Sequence, residues 1–346
     1  MSAYLDTRVS LHAGRLWPDA ALAGLADAGD EAVADTLIRR GLPQLIAGYD
    51  SPAPGDDLRS LEQRIIAQIL EETQVLIRPL AGDARAFLAF WTSRFELSNV
   101  KTLLRCKMSG ERPAAALARL TPMGAFGRLD SQDLAHAEDV GELLRRLEAG
   151  PYAGIVRHAR RAFEQSQDPF NLDAALDRGY YEGLAQRART VEDAAGTPFR
   201  TLIAQLIDRI NIVWLLRYRF NYGLPPAQVY YLLVGSHCGL PSARLQALAA
   251  LASLEAVLEA LPAPWHARLA GATDIPTVFA RMEQAAAAQA AQVLRSRAPA
   301  IARAFAYLVL RERDLRAVRA VLRGRHLGLS HAHIRAALQR DAVEAM

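Results

Sequence analysis

The chain has 346 residues, of which 51% are hydrophobic and 23% charged, with a formal charge of +4. That is enough apolar material for a buried core and excludes an intrinsically disordered chain. The basic excess is a bias towards arginine rather than a basic tract: of 41 basic residues only Lys101 and Lys107 are lysine, and acids are interspersed throughout. This argues against nucleic acid as a partner.

Two cysteines, Cys106 and Cys238, cannot form a disulfide framework and fit a reducing compartment. The opening MSAYLDTRVS lacks a charged-then-apolar leader pattern. The most apolar stretch, INIVWLL, is bracketed by Asp208-Arg209 and Arg217 and is far short of a membrane span. The expectation is a soluble protein, or one peripheral to a membrane.

Taken in chain order, the long segments read as helix. RSLEQRIIAQILEETQVLIRPL places Ile65, Ile66, Ile69, Leu70 and Val75 on a 3.6-residue period. ELSNVKTLLRCKMSG (96–110) follows, then LDAALDRGYYEGLAQRA (172–188) and LIAQLIDRINIVWLLRYRFNYGLP (202–225). SARLQALAALASLEAVLEALP reads as one helix from an N-cap at Ser242 to Pro262, and an Ala-rich helical stretch from Pro276 to Gly324 is interrupted at Pro299. Breaks are expected at 50–57, 121–127, 165–171, 195–199, 222–226 and 261–265, none long enough to link independent domains. No alternating run with a hairpin turn signals a sheet, so the fold class is all-α.

One unit is written three times. Aligned on Arg105, Arg217 and Arg323, the copies carry an acid nine residues earlier (Glu96, Asp208, Asp314) and an apolar residue five earlier (Val100, Ile212, Val318). A base stands two residues later (Lys107, Arg219, Arg325), and a glycine follows (Gly110, Gly223, Gly328), one residue late in the second copy. Beyond it, PAAALARL, PAQVYYLL and HAHIRAAL each have Ala second and Leu eighth. The copies are spaced by 112 and 106 residues, which points to internal repetition.

On a helix, the acid and the base lie at opposite ends of the apolar stripe, and the alignment arginine points away from it. Acid and arginine are nine residues apart and cannot pair within one helix. The glycine should end the helix in the left-handed region, and Pro225-Pro226 or Ser330 should start the next. Two roles stay open for the polar positions: partners on a neighbouring helical bundle, or arginines facing a central cavity or another protein.

Catalytic chemistry is not legible. The one Lys-Thr pair, Lys101-Thr102, has no glycines before it and cannot be a phosphate-cradling loop. GSHCG (235–239) places His237 where a nucleophile elbow has serine, and adjacent His237 and Cys238 should diverge. His326, His331 and His333 lack the i,i+4 spacing of helical metal ligands. The paired acids Glu71-Glu72 and Asp56-Asp57 read as solvated. No catalytic residue, cofactor or metal is expected.

The mid-chain segments LDAALDRGYYEGLAQRA and LIAQLIDRINIVWLLRYRFNYGLP resemble the C subunit of the V/A-type rotary ATPases, known in eukaryotes as the d subunit. So do the beginning, YLDTRVSLHAGRL (4–16), and the final AFAYLVLRERDLRAVRAVLRGRHLGLSHAHIRAAL (304–338). One departure concerns the Asn six residues before the arginine. Asn99 and Asn211 supply it in the first two copies, but Ala317 replaces it in the third.

The resemblance implies a single C/d-type domain over 1–346, a funnel-like body of three pseudo-symmetric helical bundles, with repeats at approximately 1–120, 121–235 and 236–346. It implies a non-catalytic part of the central stalk, a socket between the axle made by the D and F subunits and the membrane rotor ring, with the stator membrane component as a further partner. Such a part lies peripherally on the cytoplasmic face of the cell (inner) membrane and links ATP hydrolysis or synthesis to proton or sodium transport. Its interface candidates are Glu96, Arg105, Asp208, Asn211, Arg217, Asp314 and Arg323. A helical-repeat scaffold unrelated to rotary ATPases accounts for the periodicity alone.

Overall fold

The computed structural model describes residues 2–46 and 56–344. Alanine- and leucine-rich sequence with few β-branched runs yields helix throughout, and no strand occurs among the described residues. The first helices are α1 (Ser2–Ala13), α2 (Asp19–Leu25), α3 (Asp30–Arg39), α4 (Asp56–Ile77) and α5 (Gly82–Met108). Five follow in mid-chain: α6 (Pro113–Ala118), α7 (Ser131–Ala135), α8 (Val140–Glu148), α9 (Ala153–Ser166) and α10 (Pro169–Leu216). The remainder are α11 (Pro226–Leu232), α12 (Ser242–Ala249), α13 (Leu254–Glu259), α14 (Ala263–Leu269), α15 (Ile275–Arg295), α16 (Ala300–His326) and α17 (His331–Glu344).

Two units are distinguished. One comprises the described residues of Met1–Leu80 and Val191–Met346, the other Ala81–Thr190. In the second, α5 lies against the first part of α10, where glycines permit close approach. A Cβ on Gly183 would stand 2.8 Å from Phe90 Cζ, and one on Gly179 2.7 Å from Ile155 of α9. Tyr180 stacks on Phe90 and donates its hydroxyl to the Trp91 carbonyl at 3.0 Å.

The first unit is organised on α16, which packs against α1, α2, α4, α15 and α17. Its Phe305, Tyr307, Leu315, Val318 and Val321 are wholly buried, together with Leu5 and Val9 of α1. Residues from early and late in the sequence thus share one core.

The expected punctuation is largely present. Gly110, Gly223 and Gly328 have φ of 70°, 68° and 65°, and each follows the end of a repeat helix. Pro299 immediately precedes α16. At 195–199 the break falls on Gly196 (φ 73°), with Pro198 in the turn that restarts the helix. The late glycine of the second copy has a local cause: Arg217–Asn221 form a π-turn, with the Tyr222 N–H bonded to the Arg217 carbonyl. One inserted residue is absorbed there before the cap is reached.

Two expectations are corrected. The single helix expected from Ser242 to Pro262 is two, α12 and α13, because Ser253 caps the second by accepting the Ala256 N–H. The break expected at 261–265 is present but shorter: it occupies Leu261 and Pro262, and α14 has already begun at Ala263, burying Trp265. Most of the break at 50–57 lies outside the described residues, as do the side chains of Asp56 and Asp57.

Candidate functional site

The three repeated acids are buried, and each accepts a backbone N–H from a loop. Glu96 on α5 takes the Arg128 and Leu129 N–H groups at 2.7 and 2.9 Å, and the Tyr152 hydroxyl at 2.6 Å. Asp208 on α10 takes the Leu240 N–H at 2.6 Å and the Trp265 indole N–H at 2.9 Å. Asp314 on α16 takes the Trp17 N–H at 2.9 Å. Leu129, Leu240 and Trp17 each stand two residues before a short helix: α7, α12 and α2.

The donors lie 33 and 32 residues after Glu96 and Asp208. The residue 32 beyond Asp314 is Met346, outside the described residues, and the third acid is served instead by Trp17, 297 residues earlier. Gly239 makes the approach of Asp208 possible, since a Cβ there would collide with its carboxylate. Burial raises the Asp208 pKa, and the bonds from Trp265 and Leu240 offset part of that shift.

The bases grip the other end of the same short helices. Arg219 donates to the Ala249 carbonyl at 2.8 Å, to Leu224 at 2.9 Å and to Leu251 at 3.3 Å, closing the C-terminus of α12. Arg325 donates to the carbonyls of Leu25, the last residue of α2, and of Ala28 just beyond it, and to Asp30 Oδ1 at 2.6 Å. From Asp208 to Arg219 and from Leu240 to Leu251 is eleven residues each; so is Asp314 to Arg325, and Trp17 to Ala28. Long and short helix therefore run parallel, clamped at both ends over about 16 Å. Charge signs suit the helix dipole, acid at the N-terminus and base at the C-terminus. In the first copy the base is Lys107, and Arg146 of α8 donates instead to the Asp133 carbonyl of α7, at 2.7 Å.

Asn99 and Asn211 make a second two-point contact. Asn99 bonds both N–H and C=O of Thr121, at 2.8 and 2.7 Å, and Asn211 does the same to Val234, at 2.7 and 2.9 Å. Thr121 and Val234 lie just past the short helices α6 and α11, eight residues after their first residue. The same offset in the third copy is Gln339, inside the longer α17. A residue within a helix has its backbone groups satisfied there, so Ala317 has no backbone pair to bind.

The alignment arginines point outward, as the helical wheel requires. Arg105 is exposed and pairs with Asp173 of α10, next to the Lys101–Asp177 pair at 2.7 Å. Arg323 is exposed and Arg217 half-buried. The acids and Asn211 thus belong to the interior of the repeat, whereas Arg105 and Arg323 are exposed within their units.

Glu72 overturns the expectation of a solvated acid pair: Glu71 is exposed, but Glu72 is buried. It accepts from Arg311 Nη2 at 2.9 Å, Gln68 Nε2 at 2.6 Å and the Tyr307 hydroxyl. Arg311 itself is 1% exposed. Burial, then Glu72, pushes the Tyr307 hydroxyl well above the ordinary tyrosine range, and burial lowers His12, whose ring meets Tyr307 edge-on at 5.5 Å. Spacing alone hid this network, because its partners come from α4 and α16. Nor do His237 and Cys238 diverge uselessly, since both turn towards Glu192.

A repeated helix with a buried acid at one end, a base at the other and an outward arginine defines an all-helical repeat protein whose polar machinery is structural. The ATP synthase (C/AC39) subunit family model matches residues 46–337, and the chain belongs to that family. It is 23% identical to the C subunit of the A-type ATP synthase of Methanocaldococcus jannaschii over 274 residues, 77% of this chain and 66% of the relative. The counterparts of Methanosphaera stadtmanae and Methanothermobacter thermautotrophicus are 22% and 24% identical over 62% of this chain, covering 53% and 54% of their own lengths. The chain thus spans about half to two thirds of the length of the curated relatives it matches.

Proposed function

We propose that this chain is a non-catalytic central-stalk component of a V/A-type rotary ATPase, the socket through which the D/F axle turns the membrane rotor ring. The observation that carries the reading is the family match over residues 46–337, which includes the acid, the arginine and the base of every copy, from Glu96 to Arg325. The proposed body is a funnel of three pseudo-symmetric bundles, at approximately 1–120, 121–235 and 236–346. It would sit on the cytoplasmic face of the membrane, tying ATP hydrolysis or synthesis to proton or sodium movement. No helix among the described residues is long and apolar enough to cross a membrane, which is consistent with a peripheral part.

A socket under torque must resist shear between its own helices as well as slippage at its surfaces. The two-ended clamps of α10 on α12 and of α16 on α2 favour that role, since sliding either pair would break bonds at both ends together. The outward arginines suit bidentate contacts to acidic surfaces of neighbouring proteins in the complex.

Affinity purification of the tagged chain from gently solubilised membranes tests this. Ring and axle proteins should co-purify in stoichiometric amounts. Recovery of neither from preparations in which the complex is otherwise intact overturns the reading. Arg217→Ala should weaken assembly or coupled pumping without changing helix content; unchanged assembly, pumping and thermal stability would make Arg217 a mere surface residue.

A further inference from the structure

The loop between α11 and α12 is held at both ends by side chains of one helix. Asn211 of α10 fixes Val234 through two hydrogen bonds, and Asp208 of α10 fixes the Leu240 N–H. Between those anchors the loop presents His237 and Cys238. Their third neighbour, Glu192, also belongs to α10 but lies before its break. In an unbroken helix Glu192 and Asp208 would be about 24 Å apart along the axis. His237 and Leu240 can be separated by at most about 11 Å of backbone. The break at Gly196 is what allows both acids to meet the same loop.

The result is a convergence of three different ligand types. His237 Nε2 lies 2.5 Å from Glu192 Oε1, and one ligand atom from each of Glu192, His237 and Cys238 falls within 4.8 Å of the others. Ser236 Oγ stands 3.3 Å from the Cys238 sulfur, on its flank. Glu192 and Cys238 are half-buried and His237 is exposed, so one side faces solvent.

We propose that Glu192, His237 and Cys238 form a binding site for a single Zn²⁺ ion, with three protein ligands and water in the fourth position. One thiolate, one imidazole and one carboxylate are the donors that a borderline-soft, tetrahedral dication accepts, whereas Mg²⁺ and Ca²⁺ select oxygen alone. Without the ion, burial pushes the Cys238 thiol pKa up and the nearby Glu192 and Asp208 charges add to it, against the Ser236 hydrogen bond. A dication at the centre reverses that balance. The thiol proton passes to solvent as the S–Zn bond forms, and the imidazole proton moves from Nε2 to Nδ1, leaving Nε2 free to coordinate. The ion would staple the segment before Gly196 to the anchored loop.

Titration of the full-length protein with Co²⁺ as a spectroscopic probe, then with Zn²⁺, tests the site. The wild type should show one equivalent of tetrahedral Co²⁺ with a thiolate charge-transfer band, displaced by Zn²⁺, and Zn²⁺ should slow alkylation of Cys238. Cys238→Ser should lose the band, and Cys106→Ser, which alters the other thiol, should keep it. His237→Gln and Glu192→Gln should each weaken binding by more than about tenfold, the scale on which even outer-sphere partners of a metal are felt. Circular dichroism and thermal melting of each variant separate lost ligation from lost fold. A wild-type spectrum without the thiolate band, or alkylation of Cys238 indifferent to Zn²⁺, overturns the proposal.

Discussion

Asp314 accepts the backbone N–H of Trp17 across 297 residues of sequence. The bond lies at one end of the α16–α2 clamp, and Arg325 closes the other. Asp314→Ala would strip Trp17 of a buried acceptor, at a cost of about 1–3 kcal/mol, whereas Asp314→Asn keeps a carbonyl oxygen and should cost less. Guanidinium unfolding gives the magnitude, and limited proteolysis between α1 and α2 gives the location. Unaltered cleavage there in Asp314→Ala, despite a lower midpoint, would mean that the bond does not hold the early segment.

Asp208 gives a signature in pH. Burial raises its pKa in the folded state above the ordinary aspartate value, so the folded protein binds this proton more tightly than the unfolded chain. The linked contribution is therefore fully present below the unfolded value and is lost as pH rises through the folded value. The wild type should gain stability relative to Asp208→Asn on acidification through that window. Denaturant midpoints of both proteins, measured across it, check the sign; a difference independent of pH counts against the assignment.

Arg219 tests the opposite end of the α10 clamp. Its guanidinium serves three carbonyls, and Arg219→Ala should destabilise by about 2–3 kcal/mol through loss of charge-assisted bonds to groups left without a donor. Arg219→Lys should recover only part, since an ammonium cannot reproduce the fork. Hydrogen exchange should localise the loss to α12. Equal stability of the lysine variant and wild type would show that charge alone matters.

Much of this architecture is legible in the sequence. The all-α class follows from alanine and leucine periodicity, and the acid and base at the two ends of the apolar stripe from helical geometry. What they hold is not legible. A helix as short as α7 (Ser131–Ala135) has too few turns to show a period, and it exists because its ends are held. The displaced Gly223 is visible as an irregularity, but only the backbone shows a π-turn as its cause. Glu72 reads as surface because it stands in the polar run EETQ (71–74), although Ile69 and Leu76, one turn to either side, are buried; its partners Tyr307 and Arg311 are 235 and 239 residues away.

That same pair supports a further prediction. Breaking one side of a fully buried ion pair leaves the other charge uncompensated, so Arg311→Met should destabilise by about 3–5 kcal/mol. Adding Glu72→Gln removes the stranded charge and should restore much of the loss, because the amide can still meet Gln68 and Tyr307. Thermal unfolding of both single variants and the double variant completes the cycle; strict additivity would show that the two residues do not act as a pair.

The burial of α1 on α16 also has a temporal side. Leu5 and Val9 are translated roughly three hundred residues before the α16 surface that covers them. Until then these side chains lack the larger part of their native cover, since α4 meets α1 far less than α16 does, and closing so large a loop costs entropy before its contacts compensate for it. A ribosome-bound intermediate of this protein should present a sticky early helix, the kind of surface that nascent-chain chaperones occupy.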